Sequence, residues 1–330
     1  MRRTQYNCAA SKTIPGITRM PIAFTFSVSP TGSGVAPDPT RALSARLEDL
    51  DKSFPLHQAP SAFGTLTYRS AGTGPAVVLL HGIGSAAGCW LDVALMLRDG
   101  LRVIAWNAPG YAGSTPLPQA HLSADDYADA LHQLLAHAGV SECVLVGHSL
   151  GAIVAGAYAA REAGNTRVAI RRLVLLSPAQ GYASHDEPRR EAVRTGRLTL
   201  LEAEGIDGIA AQRASALLSD AAPPAMREWA AWNMRQITPT GYRQAVSLLC
   251  DSDLLSRLAP AMPVDVRVGN HDVITPAAHG QAVAQAWHAS FALIDGAGHA
   301  CHIERPAQVA DIVRGSAVND GGVQTEFPFA

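Results

Sequence analysis

The sequence predicts an α/β protein: a mostly parallel, doubly wound sheet into which a block of helices is inserted. Three observations carry that expectation. Apolar runs of four or five residues recur from Phe63 onward and alternate with segments of helical periodicity; the alternation stops between residues 178 and about 260; two more apolar runs follow before Gly315. Alternation of this kind marks strands buried on both faces by crossover helices.

The predicted strands cover residues 77–80, 103–106, 143–146, 173–176, 264–268 and 291–294. One crossover helix announces its own start. Ser123 followed three residues later by Asp126 has the spacing of a capping box, and Tyr127, Leu131, Leu134, Leu135 and Ala138 then share one face. The interrupting block is rich in alanine and charge and reads as several helices without a strand, which is the composition of a helical lid. The expected organisation is an irregular N-terminal extension over residues 1–60, a core over 61–177 and 261–316, a lid over 178–260 and a frayed tail over 317–330.

The extension is assigned from seven prolines between Pro15 and Pro60 and from Thr31-Gly32-Ser33-Gly34, which resist regular structure. Within it, Leu43, Leu47, Leu50 and Phe54 recur at helical spacing and predict one short helix lying against the core. Met20 offers an alternative start.

Composition excludes several classes of function. The chain has 330 residues, 48% of them apolar and 16% charged, enough for a large buried core. A net charge of -2 gives no whole-molecule field that would draw in nucleic acid or an anionic membrane, and neither partner is expected. Arginine far outnumbers lysine, present only as Lys12 and Lys52, but is scattered along the chain and reads as compositional bias. Five widely spaced cysteines, Cys8, Cys89, Cys143, Cys250 and Cys301, suggest neither a disulfide framework nor a zinc site. No apolar stretch approaches the roughly 20 residues that span a bilayer. The apolar run 21–28 is short and distant from Arg2 and Arg3, a weak secretory signal, so a cytoplasmic location is expected.

The chemistry is concentrated at strand ends. Gly147-His148-Ser149-Leu150-Gly151 lies between the strand 143–146 and a helix over 152–161. A G-x-S-x-G turn in that context holds the serine in a strained strand-to-helix elbow, beside helix N–H groups able to stabilise developing negative charge. Ser149 is therefore the candidate nucleophile. His81-Gly82-Ile83-Gly84 follows the strand 77–80, and the backbone N–H groups of Ile83 and Leu150 are the expected oxyanion donors.

A serine nucleophile needs a base, and the base an orienting carboxylate. Asp272, in Gly269-Asn270-His271-Asp272, follows the strand 264–268; His299, in Gly296-Ala297-Gly298-His299, follows the strand 291–294. His302 is a rival base, and Asp251 and Asp253 are rival acids. His81 and His148 belong to backbone motifs and are expected to orient loops; Glu304 is expected to serve helix geometry near His299. Trp229, Trp232 and Met234 in the inserted block either pack it onto the core or form an apolar substrate wall.

These motifs, in this order, resemble the α/β-hydrolase superfamily over about residues 61–316. Asn107-Ala108-Pro109-Gly110-Tyr111-Ala112-Gly113-Ser114 also resembles that family's D-x-P-G-x-G-x-S loop, with Asn107 in place of the usual aspartate and Ala112 in place of a glycine. The resemblance implies a serine hydrolase of small carboxylic esters or lactones, acting through an acyl-enzyme and needing no metal or organic cofactor. Carbon–carbon bond hydrolysis of ring-cleavage products, cofactor-free perhydrolysis and a non-catalytic ligand-binding role stay open as alternatives, and assembly into a homo-oligomer is compatible with the sequence.

Overall fold

Runs that are apolar on both sides, such as Ala76-Val77-Val78-Leu79-Leu80, cannot face water and take the middle of a sheet. In the computed structural model, which describes residues 38–119, 122–161 and 168–318, the six predicted strands lie side by side in an eight-stranded sheet. The described residues all fall in a single unit. The apolar run 21–28, Cys8 and the tail from Asn319 lie outside the described residues.

Along the chain the elements are α1 (Leu43–Ser53), β1 (Leu56–Ser61), β2 (Gly64–Ala71), β3 (Ala76–Leu80), α2 (Leu91–Leu97), β4 (Arg102–Asn107), α3 (Ala124–His137), β5 (Glu142–His148), α4 (Leu150–Ala159) and β6 (Ala169–Leu176). The inserted helices α5 (Glu187–Arg213), α6 (Pro224–Met234) and α7 (Pro239–Asp251) come next. β7 (Val264–Gly269), α8 (Ala277–Ala286), β8 (Ser290–Ile294), the single turn α9 (Cys301–Glu304) and α10 (Pro306–Val318) complete the chain.

The strand order is β1-β2-β4-β3-β5-β6-β7-β8. β1 pairs with β2, and β2 with β4, antiparallel; every other pairing is parallel. The antiparallel pair at the edge is absent from the sequence expectation, and β1 starts inside the segment read there as extension. Its strand Leu56-His57-Gln58-Ala59-Pro60-Ser61 buries Ala59 and leaves its first three residues exposed, so it carries no apolar run to detect.

Two helices show why the core closes. The N-terminus of α3 is a capping box, with Ser123 Oγ accepting from the Asp126 N–H and Asp126 Oδ2 accepting from the Ser123 N–H. All ten residues of α4 are buried, which suits a helix that is apolar around its whole circumference. On α1, Leu50 joins the core as its spacing predicts, but so does Arg46, which pairs with the buried Asp92 and lies over the Trp229 ring at 4.4 Å.

Parallel registers Leu80↔Gly147, His148↔Leu176 and Gly269↔Ile294 bring the carboxyl ends of β3, β5, β6, β7 and β8 to one edge of the sheet. The inserted helices follow β6 from that edge, and the chain then crosses to the opposite edge to begin β7, parallel to β6.

Candidate active site

Ser149 occupies the turn between β5 and α4 with φ 52° and ψ -117°. A non-glycine residue in this region costs on the order of 1–2 kcal/mol and persists only where its surroundings hold it. Here β5 is hydrogen-bonded on both sides, and the Ser149 N–H donates to the Leu176 carbonyl at 3.0 Å. The flanking glycines answer a steric demand. A Cβ on Gly147 would lie 2.8 Å from Ala152 Cα, and one on Gly151 would lie 2.5 Å from the Leu80 carbonyl oxygen.

Asp272 follows β7 and is fixed by its own turn. Its Oδ1 accepts the backbone N–H groups of Ile274 and Thr275, both at 2.9 Å. Its Oδ2 accepts the Thr275 hydroxyl at 2.9 Å and stands 2.9 Å from Nδ1 of His299, which follows β8. Burial alone would raise the Asp272 carboxyl, but the hydrogen bond and charge of His299, with the Thr275 N–H, outweigh it and hold the group at about 2. An ionised Asp272 makes Nδ1 of His299 the protonated nitrogen and leaves Nε2 basic. Thr275, whose hydroxyl also lies 3.1 Å from His299 Nδ1, is a contributor that the sequence reading did not single out. The Asp-x-x-Thr turn is its only sequence trace.

Three further histidines, His81, His148 and His302, are buried, and burial keeps all three neutral. His148 Nε2 donates to the His299 backbone carbonyl at 2.9 Å, so the residue preceding Ser149 also braces the His299 backbone. Burial, and then the charge of His299, lower His148 to about 3. His81 Nε2 accepts the Ala108 N–H at 3.1 Å while its Nδ1 donates to the Gly82 carbonyl at 2.9 Å. That fixes one neutral tautomer, and burial lowers it to about 4. His302, the rival base, stacks on Trp90 with centroids 4.2 Å apart, and no described residue hydrogen-bonds either of its ring nitrogens.

The rival acids are committed elsewhere. Asp251 pairs with Arg194 and accepts the Ser247 hydroxyl, and Asp253 accepts the Leu255 N–H. Glu304 does more than finish a helix turn. Its carboxylate accepts the Gly298 N–H at 2.6 Å, adjacent to His299, and the Ser219 N–H and hydroxyl from the inserted block.

Ser149, His299, Ile83 and Leu150 all line one cavity of about 290 Å³. As the first residue of α4, Leu150 has no partner for its N–H within the helix. Ile83 is held at its carbonyl by the Tyr111 hydroxyl at 3.0 Å, and its N–H has no acceptor among the described residues. Of the three residues singled out in the inserted block, Met234 lines the cavity. Trp229 and Trp232 do not. They stack on each other at 5.1 Å, Trp229 is fully buried under Arg46, and Trp232 reaches Gly88, so they pack α6 onto α1 and the turn before α2. Among the described residues no cluster of three or more His, Cys, Asp or Glu side chains is arranged to hold a metal ion, and no helix is long and apolar enough to cross a membrane.

The profile of the alpha/beta hydrolase family matches residues 77–312, which include every residue of this site. The chain belongs to that family. An uncharacterised protein of Mycobacterium tuberculosis is 28% identical over 271 residues, covering 74% of this chain and 76% of the relative. The pimeloyl-[acyl-carrier protein] methyl ester esterase of Vibrio vulnificus is 28% identical over 250 residues, covering 73% and 93%. Among solved structures, the enol-lactonase from Burkholderia xenovorans superposes with a TM-score of 0.71 at 21% identity, covering 80% of this chain and all of that one, a likeness of fold. This α/β hydrolase is an enzyme, and its curated relatives include an ester hydrolase.

Proposed function

We propose that Ser149, Asp272 and His299 are the catalytic triad of a serine hydrolase that cleaves small carboxylic esters or lactones through an acyl-enzyme on Ser149. The observation that carries this reading is the 2.9 Å contact between His299 Nδ1 and Asp272 Oδ2, made by a histidine that shares one cavity with a serine in a strained elbow.

His299 Nε2 takes the Ser149 proton as the hydroxyl oxygen attacks the substrate carbonyl. The negative charge that develops on the carbonyl oxygen is met by the N–H groups of Ile83 and Leu150 and by the positive end of α4. Collapse of the tetrahedral intermediate breaks the carbon–oxygen bond to the alcohol, which leaves with the proton held by His299. Water then attacks the acyl-enzyme, giving its proton to His299 and releasing the acid and free Ser149. Asp272 keeps Nδ1 protonated throughout and compensates the imidazolium. Residues 178–260 act as the lid that covers this cycle, with Met234 in its inner wall.

Four buried free thiols, Cys89, Cys143, Cys250 and Cys301, support action in a reducing compartment, the cytoplasm. The test is hydrolysis of p-nitrophenyl acetate, butyrate and octanoate by wild type and Ser149→Ala, with intact mass after an organophosphonate probe. Turnover lost in Ser149→Ala and probe attached to Ser149 are expected. Wild type that neither turns over an ester nor takes up the probe sinks the proposal.

A further inference from the structure

The inserted helices bring together arginines that lie far apart in sequence. Arg189, Arg197 and Arg213, all from α5, line the cavity above Ser149, and no aspartate or glutamate lines it with them. Their neighbours on the same helix are paired: Arg190 with Glu187, and Arg194 with Glu191 and Asp251. The guanidinium groups of the three that face the cavity have no carboxylate within 4 Å and no hydrogen bond among the described residues, the Asp186 carboxylate being taken by the Arg189 backbone N–H. Arg197 and Arg213 are half-buried, and Nε of Arg213 is shielded from solvent without an acceptor. Gly205, at φ 65° and ψ -168°, breaks α5 between them and lets both halves of the helix contribute to one cavity.

A desolvated guanidinium without a counter-ion is unfavourable, and its planar fork is completed by a carboxylate or a similar anion. Tyr242 adds a second independent sign. It is 2% exposed and lines the same cavity, and its hydroxyl has no partner among the described residues. Between these polar groups the wall is apolar, with Ile209, Leu217, Met234 and Leu249.

We propose that Arg197 and Arg213, with the Tyr242 hydroxyl, form an anion subsite that selects esters whose acyl chain ends in a carboxylate. This rests on the serine hydrolase reading above. The ester carbonyl lies at Ser149, a short methylene spacer crosses the apolar wall, and the terminal carboxylate meets the arginines; Arg189, at the exposed rim, helps to draw the anion in.

The experiment compares kcat/KM for the monomethyl esters of glutarate and adipate with length-matched neutral methyl alkanoates. Wild type is expected to prefer the charged half-esters by at least about tenfold, less so at high salt. That ratio should fall by at least about tenfold in Arg197→Gln/Arg213→Gln and by less in Arg213→Lys, which keeps the charge but not the fork. Equal turnover of charged and neutral esters by wild type, or a ratio unchanged in the double variant, overturns the subsite. Calorimetric binding of glutarate and adipate separates this proposal from the hydrolase reading. If no ester is cleaved but the diacids bind wild type and not the double variant, the subsite stands and the hydrolase reading falls. If the diacids do not bind wild type, the subsite falls.

Discussion

Glu304 accepts the backbone N–H of Gly298 at 2.6 Å, and the same carboxylate takes both donors of Ser219. The loop that presents His299 and the inserted block are therefore tied to one buried acceptor. Glu304→Ala leaves two buried N–H groups unpaired and is expected to cost about 2–5 kcal/mol in urea unfolding, with a loss of kcat/KM on esters. Glu304→Gln, which keeps one acceptor oxygen, should lose less of both.

Asp272→Asn preserves the shape of the turn but can hold His299 in the wrong tautomer. A fall in kcat of about 10³–10⁴ is expected, with slower labelling of Ser149 by a phosphonate. Thr275→Val removes one donor to Asp272 and should reduce kcat less than Asp272→Asn does. Steady-state kinetics on p-nitrophenyl butyrate checks both, and equal losses in the two variants would contradict this division of roles.

The buried neutral histidines set the acid limit of stability. Burial holds His81 at about 4 and His148 at about 3, and lowers His302 well below the usual imidazole value. The unfolded chain binds these protons near 6.5, so stability is full above that pH and falls as pH drops towards the folded values. At pH 5 His81 and His148 should each have removed about 2 kcal/mol, with His302 acting in the same direction. Unfolding free energies measured from pH 8 to 4.5 should follow that slope. His302→Phe, which keeps an aromatic ring against Trp90, should flatten it by about one proton.

The Arg46–Asp92 pair is buried on both sides, with two guanidinium nitrogens of Arg46 unpartnered among the described residues. Asp92→Ala strands the guanidinium under Trp229 and is expected to destabilise by about 3–5 kcal/mol. Arg46→Met with Asp92→Leu removes the ion pair altogether and should come within about 1–2 kcal/mol of wild type. Denaturant midpoints of the single and double variants decide the point.

Ala112 occupies a left-handed conformation, φ 42°, where similar loops carry glycine. Ala112→Gly relieves about 1–2 kcal/mol of backbone strain and costs about 0.5–1 kcal/mol in unfolded-chain entropy, so a net gain of about 0.5–1 kcal/mol is expected by thermal unfolding.

Much of this was legible in the sequence because the strands that position the site are apolar on both faces. β3 to β8 announce themselves as runs, and Ser149, Asp272 and His299 stand out because each directly follows one. β1 and β2 did not: β1 is an edge strand whose first three residues are exposed, and β2, although paired on both sides, mixes Thr65, Thr67 and Arg69 among its apolar residues. The sequence left Trp229 open between packing and a substrate wall, because it does not say what the ring lies against; its neighbours are Trp232 and Arg46, which is itself a charged residue in a core position. The arginines of α5 were unreadable as a group for the same reason, because scatter along a chain says nothing of which side chains a kinked helix gathers on one wall.

β6 and β7 are hydrogen-bonded neighbours, although the entire helical insertion separates them in the chain. The ladder closes whatever is spliced between them, so the strand ends that carry Ser149, on one side of that seam, and Asp272 and His299, on the other, are held in register by the sheet, and the insertion's own tie to the His299 loop runs through Ser219 and Glu304. On the proposed reading, chemistry and selectivity are carried by largely separable stretches of sequence. The reaction can stay constant while the roof above it is exchanged, and a graft of another family member's insertion at this seam is the natural way to move one substrate preference onto another's catalytic floor.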